Sequence, residues 1–419
     1  MREMKDSGIE WVGAIPATWQ MHPLYYYFCE RKCRNTLGKE NNLLSLSYGR
    51  VIRKDINTVD GLLPENYNGY NIIEKDDIVL RLTDLQNDKR SLRTGLVREH
   101  GIITSAYTTI KANRELVPEF FQYLLHSYDA MKVLYNMGSG VRQGLNFSEL
   151  SKMPLISPDM LEQKKIADFL DAKCSEIDAI SADIQKEIEI LEQYKRSVIT
   201  EAVTKGLNPE AEMKDSGIGY IGIIPNHWVV EKIKYHLKYR GNRNPGGVQV
   251  LSVYREYGVI PKDSRDDNHN VTSEDTSNYR YVRVGDFVIN KMKAWQGSMA
   301  ISDYEGIVSP AYYVYEFSDE HFDRKYFHYL LRNKMYATEF LRVSGGIRVG
   351  QWDLSAYDFE NTMVPMPPIK EQKKIAAFLD TKSTDIDSLI GEKKRQLEVL
   401  DSYKKSLIYE YVTGKKEVI

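Results

Sequence analysis

At 419 residues the chain exceeds what one hydrophobic core comfortably organises, so two or more domains are expected. No apolar run approaches the roughly 20 residues that span a bilayer, and three cysteines (Cys29, Cys33, Cys174) in such a length argue against a disulfide framework and for a reducing, cytoplasmic setting. A net charge of −2 neither supports nor excludes a nucleic-acid partner, because 13 acidic against 7 basic residues fall in 154–212 alone and what matters is clustering on a face.

In chain order, MKDSGIEWVGAIPATW occupies 4–19, and its Gly, Ile, Pro and Trp suit a fixed turn and an anchor. A β-leaning stretch follows, with short Val/Ile/Leu/Tyr runs such as LSLSYGRVIRKD at 44–55 and DDIVLRL at 76–82 cut by Asn, Gly and Asp. A helical pattern covers 119–137, EFFQYLLHSYDAMKVLYNM, just ahead of the Gly-rich turn GSGVRQG at 138–144. From Asp159 to Lys205 there is neither proline nor glycine, and Pro158 and Gly206 bracket the run. Within it Ile177, Ile180, Ile184, Ile188, Leu191, Tyr194 and Val198 recur at steps of three and four, which predicts a coiled-coil-like seam. Roughly 30 residues at ~1.5 Å each make a rod of about 45 Å.

The chain then begins again. MKDSGIGYIGIIPNHW at 213–228 matches the first motif at ten of sixteen positions, 209 residues on. EQKKIADFLD at 162–171 returns as EQKKIAAFLD at 371–380, at the same offset. The two middles are far less alike: LSVYREYGVIPKD (251–263), GDFVINK (285–291) and SGGIRVG (344–350) mark the second. The second rod carries Ile386, Leu389, Leu397, Leu400, Tyr403 and Leu407, with Lys393 interrupting where Ile184 stood. A long amphipathic helix needs a partner for its stripe, and the simplest partner is the other copy, packed antiparallel. That each helix covers only its own domain would explain the stripe but not the length. The expected fold is α+β: two β-leaning α/β domains (1–157 and 207–366) separated by two long antiparallel helices (158–206 and 367–419).

No catalytic set is legible. An adenine methylase needs an Asn/Asp-Pro-Pro-aromatic motif, and none occurs. The turn at 138–144 is not G-x-G-x-x-G and follows a helix, and no P-loop for ATP is found. Asp159, Glu162 and Lys164 superficially resemble a nuclease pattern, but they crowd a helix start and the other copy has Pro368 in place of the Asp. Cys29 and Cys33, even with His22 nearby, lack the second ligand pair that zinc requires.

The duplicated K-D-S-G-I-x-[WY]-[VI]-G-x-I-P-x-x-W and E-Q-x-x-I-A-x-F-L-D motifs resemble those of the specificity subunit of type I restriction–modification systems. The resemblance spans both repeats and implies a non-catalytic, DNA-reading subunit. Each middle would be a target-recognition domain for one half of an asymmetric split site, and the helices would set the gap and dock methyltransferase subunits. A rod of about 45 Å corresponds to roughly 13 base pairs at ~3.4 Å each. The partners implied are double-stranded DNA, methyltransferase subunits (two of them) and a restriction or translocase subunit. S-adenosylmethionine, ATP and Mg would belong to those partners, with no metal or cofactor in this chain. A methylation-only system, or a protein-binding helical scaffold without DNA binding, are the alternatives.

Within that resemblance, base and phosphate contacts fall to basic and amide side chains in loops after strands. In the first middle these are Arg81, Gln86, Asn87, Lys89 and Arg90, with Arg50, Arg53 and Lys54 beside the Tyr-Gly turn. In the second they are Asn290, Lys291, Lys293, Trp295 and Gln296, with Arg255 and Lys262 upstream. Arg142 and Arg348 match each other in the two Gly-rich turns and suit phosphate contact or capping of the preceding helix. The plainer alternative for any one of them is a solvated loop side chain.

Overall fold

The computed structural model describes residues 2–57, 66–85, 92–137, 144–255, 257–264, 272–318, 322–346 and 352–418. The chain forms two compact units, Met1–Ile184 with Lys394–Ile419, and Gln185–Lys393. Each takes one middle of the sequence and a part of both long helices, Met160–Lys205 and Ile369–Val412.

The units are built alike. In the first, a four-stranded antiparallel sheet has the order Phe28–Glu30, Thr108–Ala112, Ile78–Leu80, Thr94–Leu96. In the second the order is Leu237–Tyr239, Tyr312–Phe317, Phe287–Asn290, Met299–Ile301. The central strands Ile78–Leu80 and Phe287–Ile289 are buried on both faces, which is why they read as unbroken apolar runs rather than alternating ones. A helix covers each sheet. Pro118–Ala130 sends Phe120, Phe121, Leu124 and Tyr128 into the first core, and Arg324–Leu331 sends Tyr326, Phe327, Leu330 and Leu331 into the second.

The two repeated motifs turn out to be fasteners. Met4–Asp6 pairs with Ala14–Pro16, and Met213–Asp215 with Ile223–Pro225. In each hairpin an Asp carboxylate accepts the amide of the Gly two residues on (Asp6 from Gly8 at 3.0 Å, Asp215 from Gly217 at 2.9 Å). A Ser hydroxyl likewise accepts from Ile9 and from Ile218. These side-chain turns need positive φ, and Gly8, Gly13, Gly217 and Gly222 supply it. Trp19 and Trp228 end the motifs fully buried.

The second motif receives the first. Glu162 accepts the Trp19 Nε1–H at 3.0 Å, and Glu371 meets His227 at 2.8 Å. Gln163 accepts the amide of Val117 at 3.0 Å, and Gln372 that of Asp323 at 2.7 Å, so each glutamine ties its long helix to the helix over the sheet. Asp171 and Asp380 accept the hydroxyls of Tyr123 and Tyr329. Ile166, Ala167 and Leu170, with Ile375, Ala376 and Leu379, fill the cores. Asp159 accepts the Glu162 amide at 2.9 Å, a helix-start contact and no nuclease centre.

The long helices are 46 and 44 residues, about 69 and 66 Å at ~1.5 Å per residue, against the rod of about 45 Å expected. The difference arises because their first turns cover the domain that precedes them, so the domain-covering and helix-pairing expectations each hold for part of the length. Within the first unit Phe169 packs against Tyr411 with ring centroids 4.5 Å apart, and Lys404 bonds Asp178 at 2.6 Å. Within the second, Lys195 bonds Asp387 and Lys393 pairs with Glu187. In both units the helix segments therefore run antiparallel.

Ile177, Ile184, Ile188, Ile386 and Leu407 are buried, and Leu191, Val198, Leu397 and Leu400 half-buried. Ile180, Tyr194, Leu389 and Tyr403 depart from the expected seam and are 43–55% exposed. The inward positions beside them belong to Ser181, Lys195, Ile390 and Lys404. Counting apolar residues alone skips the polar Ser181, Lys195 and Lys404, while Ile390 takes the inward place beside Leu389.

Candidate nucleic-acid interface

The segment after the strand and the segment that follows the Gly-rich sequence, singled out separately in the sequence, meet in both units. The Leu145 amide donates to the Leu82 carbonyl at 2.9 Å, and the Leu354 amide donates to the Lys291 carbonyl at 3.0 Å. Both partners of the second bond lie 209 residues after those of the first. The segment after the strand is thus held in each unit against a leucine that follows the Gly-rich sequence, Leu145 or Leu354. Gln86, Asn87, Lys89, Arg90, Arg142 and Arg348, which the sequence assigns to these loops, lie outside the described residues.

The side chains that are described differ sharply between units. In the second, Lys291 pairs with Asp353 at 2.8 Å, the Asn290 carboxamide oxygen accepts the Met292 amide at 3.1 Å, and Lys293 is exposed. Trp295 stands edge-on to Trp352 with centroids 5.4 Å apart, its Nε1–H donated to the Met292 carbonyl, and Gln296 is half-buried beside it. Trp352 and Met292 are not singled out by the sequence; Trp352 follows the Gly-rich sequence 344–350 by two residues, and only the fold brings it to Trp295. In the first unit Arg81 is half-buried, its amide bonded to the Arg93 carbonyl.

The hairpin Leu44–Ser47/Arg50–Arg53 turns through Tyr48 and Gly49, both at positive φ, as a two-residue turn requires. Tyr48 is 85% exposed. Arg50 and Arg53, expected as DNA contacts, have carboxylate partners within the unit. Arg50 bonds Asp178 on the long helix at 2.5 Å, and Arg53 chelates Glu99, whose carboxyl is held below its usual range by that contact. Such pairs are not visible in a linear sequence, since the partners are 128 and 46 residues away. Lys54 is exposed. In the second unit Arg255 is exposed while its carbonyl accepts from Arg332, and the Lys262 ammonium donates to Thr272.

The long helices offer a second surface. Ile180, Val399 and Tyr403 are exposed in the first unit, and Leu389, Ile190 and Tyr194 in the second. Each residue of the first set has its 209-residue counterpart in the second. Among the described residues no group of three or more His, Cys, Asp or Glu side chains could hold a metal, and no helix is long and apolar enough to cross a membrane.

The model of the type I restriction modification DNA specificity domain matches residues 29–190 and again 238–399. The type I restriction enzyme MjaVIII specificity subunit of Methanocaldococcus jannaschii is 24% identical over 343 residues, 76% of this chain and 75% of that protein. A chain from a structure concerning complex assembly and conformational transition of the type I R-M system superposes with a TM-score of 0.67 at 15% identity, covering 96% of this chain and 99% of that one. The crystal structure of the HsdS subunit from Thermoanaerobacter tengcongensis matches over 96% and 98% of the two chains, with 15% identity and a TM-score of 0.49.

Proposed function

Because the chain belongs to the type I restriction modification DNA specificity family, matched once in each half, we propose that it reads an asymmetric bipartite DNA site, one part per unit. In this family it is the specificity component and not the catalytic one. The observation that carries the bipartite reading is the repeated bond Leu145–Leu82 and Leu354–Lys291: one frame, used twice, presents two unlike sets of side chains. Unlike readers imply unlike half-sites, and a covalent link between them implies a fixed unread spacer, as half-site spacing follows dimer geometry in other DNA binders. The division into reading domains at 1–157 and 207–366 with helical segments between is part of this proposal.

Lys293, Lys54, Arg81, Asn290 and Gln296 are the contacts we assign to DNA among the described residues. Trp295 is packed on Trp352 and supports the loop. Arg50, Arg53 and Lys291 reach DNA only by exchanging a carboxylate for a phosphate. Methyltransferase subunits, and a restriction subunit where the system has one, dock on the helical surface marked by Ile180, Ile190, Tyr194, Leu389, Val399 and Tyr403. S-adenosylmethionine, ATP and Mg are carried by those subunits, and the complex works in the cytoplasm.

Replacing residues 20–153 with the corresponding middle of another family member tests the modular reading. The expected result is a new first half-site beside an unchanged second one; a change in both halves contradicts it. Binding to the cognate duplex is expected to weaken steeply with salt, as phosphate contacts require.

A further inference from the structure

Arg93 is wholly buried at the start of an edge strand, although a guanidinium in an apolar interior persists only when its N–H groups are used. Four hydrogen bonds from its side chain to described residues converge on one segment and the tyrosine beside it. Nη1–H groups donate to the carbonyls of Arg81 at 3.2 Å and Thr83 at 2.8 Å, Nη2–H to that of Asp84 at 3.1 Å, and Nε–H to the Tyr135 hydroxyl at 3.0 Å. The Tyr135 ring lies 5.0 Å from the guanidinium carbon, and the carboxylate of the fully buried Asp129 accepts the Arg93 amide at 2.6 Å. The one carbonyl missing from the series, Leu82, is taken by Leu145. Four consecutive carbonyls of the post-strand segment are thus held from inside, with Asp84 at positive φ and Leu85 in the core.

The second unit manages the same junction without a guanidinium. The Arg81 amide bonds the Arg93 carbonyl at 2.8 Å, and its 209-residue counterpart Asn290 bonds Ser298 at 3.0 Å. There the connection is seven residues (291–297) rather than eleven (82–92), and it closes on its own backbone: Gln296 on Lys293, Gly297 on Ala294, Ser298 on Lys293. A short turn supplies its own partners. The described start of the longer segment leaves the Thr83 and Asp84 carbonyls to a side chain, and only the planar five-donor fork of arginine reaches several at once.

We infer that Arg93 is a positioning residue for reading one half-site: it fixes the 81–85 segment, which carries the DNA contact assigned to Arg81. The inference rests on the DNA-reading proposal above and adds that the two half-sites depend on different anchors. It is tested in the complete complex of this chain with its methyltransferase subunits, by sequencing the positions methylated in a randomised DNA pool. Arg93→Lys keeps the charge and loses the fork; Tyr135→Phe removes one acceptor.

With Arg93→Lys, preference at the half-site changed by the 20–153 exchange should fall about tenfold or more, the scale of one lost base discrimination, while the other half-site keeps its sequence. Tyr135→Phe should move the same half-site in the same direction by less. A motif unchanged in both halves, with only less methylation, would make Arg93 a plain structural residue and overturn the inference; so would equal relaxation of both halves. Should Arg93→Lys fail to fold, Tyr135→Phe decides alone, and an unchanged motif there overturns the inference. If the unsubstituted complex methylates no two-part site, the functional proposal itself falls, a result distinct from any of these.

Discussion

Lys195 donates to both carboxylate oxygens of Asp387 at 2.7 Å, and Lys404 and Asp178, their counterparts across the 209-residue repeat, repeat the contact at 2.6 Å with the helices exchanged. Each repeat supplies one lysine and one aspartate, and each pair takes one residue from either repeat. A contact written once in the repeated sequence is thereby used twice. These pairs are partly solvated, so each should stabilise by only about 0.2–1 kcal/mol. Lys195→Ala and Asp387→Ala should therefore cost little, Lys195→Asp more through like-charge opposition, and the exchange Lys195→Asp with Asp387→Lys should recover most of the loss in a thermal melt. Simple addition of the two single effects would show that the residues are not coupled.

Trp19 should be among the costliest single positions. It is fully buried, its indole N–H is taken by Glu162, and Gly414 at the end of the C-terminal helix lies against its ring. Trp19→Ala is expected to destabilise by about 3–5 kcal/mol, as other large-to-small aromatic changes in cores do. Glu162→Gln, which keeps an acceptor for the same N–H, should cost a small fraction of that in denaturant titration.

Acid should loosen both units through one histidine each. Burial holds His126 to about 4, with Lys404 and Lys405 adding to the effect, and burial with Arg332 holds His328 to about 4 as well. Between pH 6.5, the ordinary value, and 4 the unfolded chain binds protons at these sites that the folded chain does not. Stability present above that window is therefore lost as pH falls through it. His126→Gln and His328→Gln should each flatten the profile of melting temperature against pH between those values, and an unaltered slope would contradict the assignment.

Tyr194→Ser and Tyr403→Ser separate docking from folding. Both side chains are more than half exposed, so melting should shift by no more than a change of about 0.5 kcal/mol implies. Co-purification with the methyltransferase subunit should nevertheless fall several-fold in the double variant. Full retention of the partner would remove these positions from the docking surface.

Much of this architecture is legible in the sequence because the frame is duplicated. Motifs repeated at an offset of 209 residues mark both hairpin segments and both long helices, and what differs between the copies points to the readers. The seam departs from its expected phase at Tyr194 and Tyr403 because Lys195 and Lys404 occupy inward positions by reaching an aspartate on the facing helix, which a hydrophobicity count cannot register. Arg50 and Arg53 read as free cations because their partners, Asp178 and Glu99, are brought near only by the tertiary fold. Arg93 is not among the residues the sequence singles out: its acceptors are largely backbone carbonyls, which leave no trace in residue types.

Mapping the adenines methylated in DNA when this chain is co-expressed with its methyltransferase subunits tests the central claim most directly. The expected outcome is one motif of two unlike specified parts separated by a constant unspecified gap, lost when the chain is omitted. A contiguous motif, a palindrome, or methylation that persists without the chain would contradict the account.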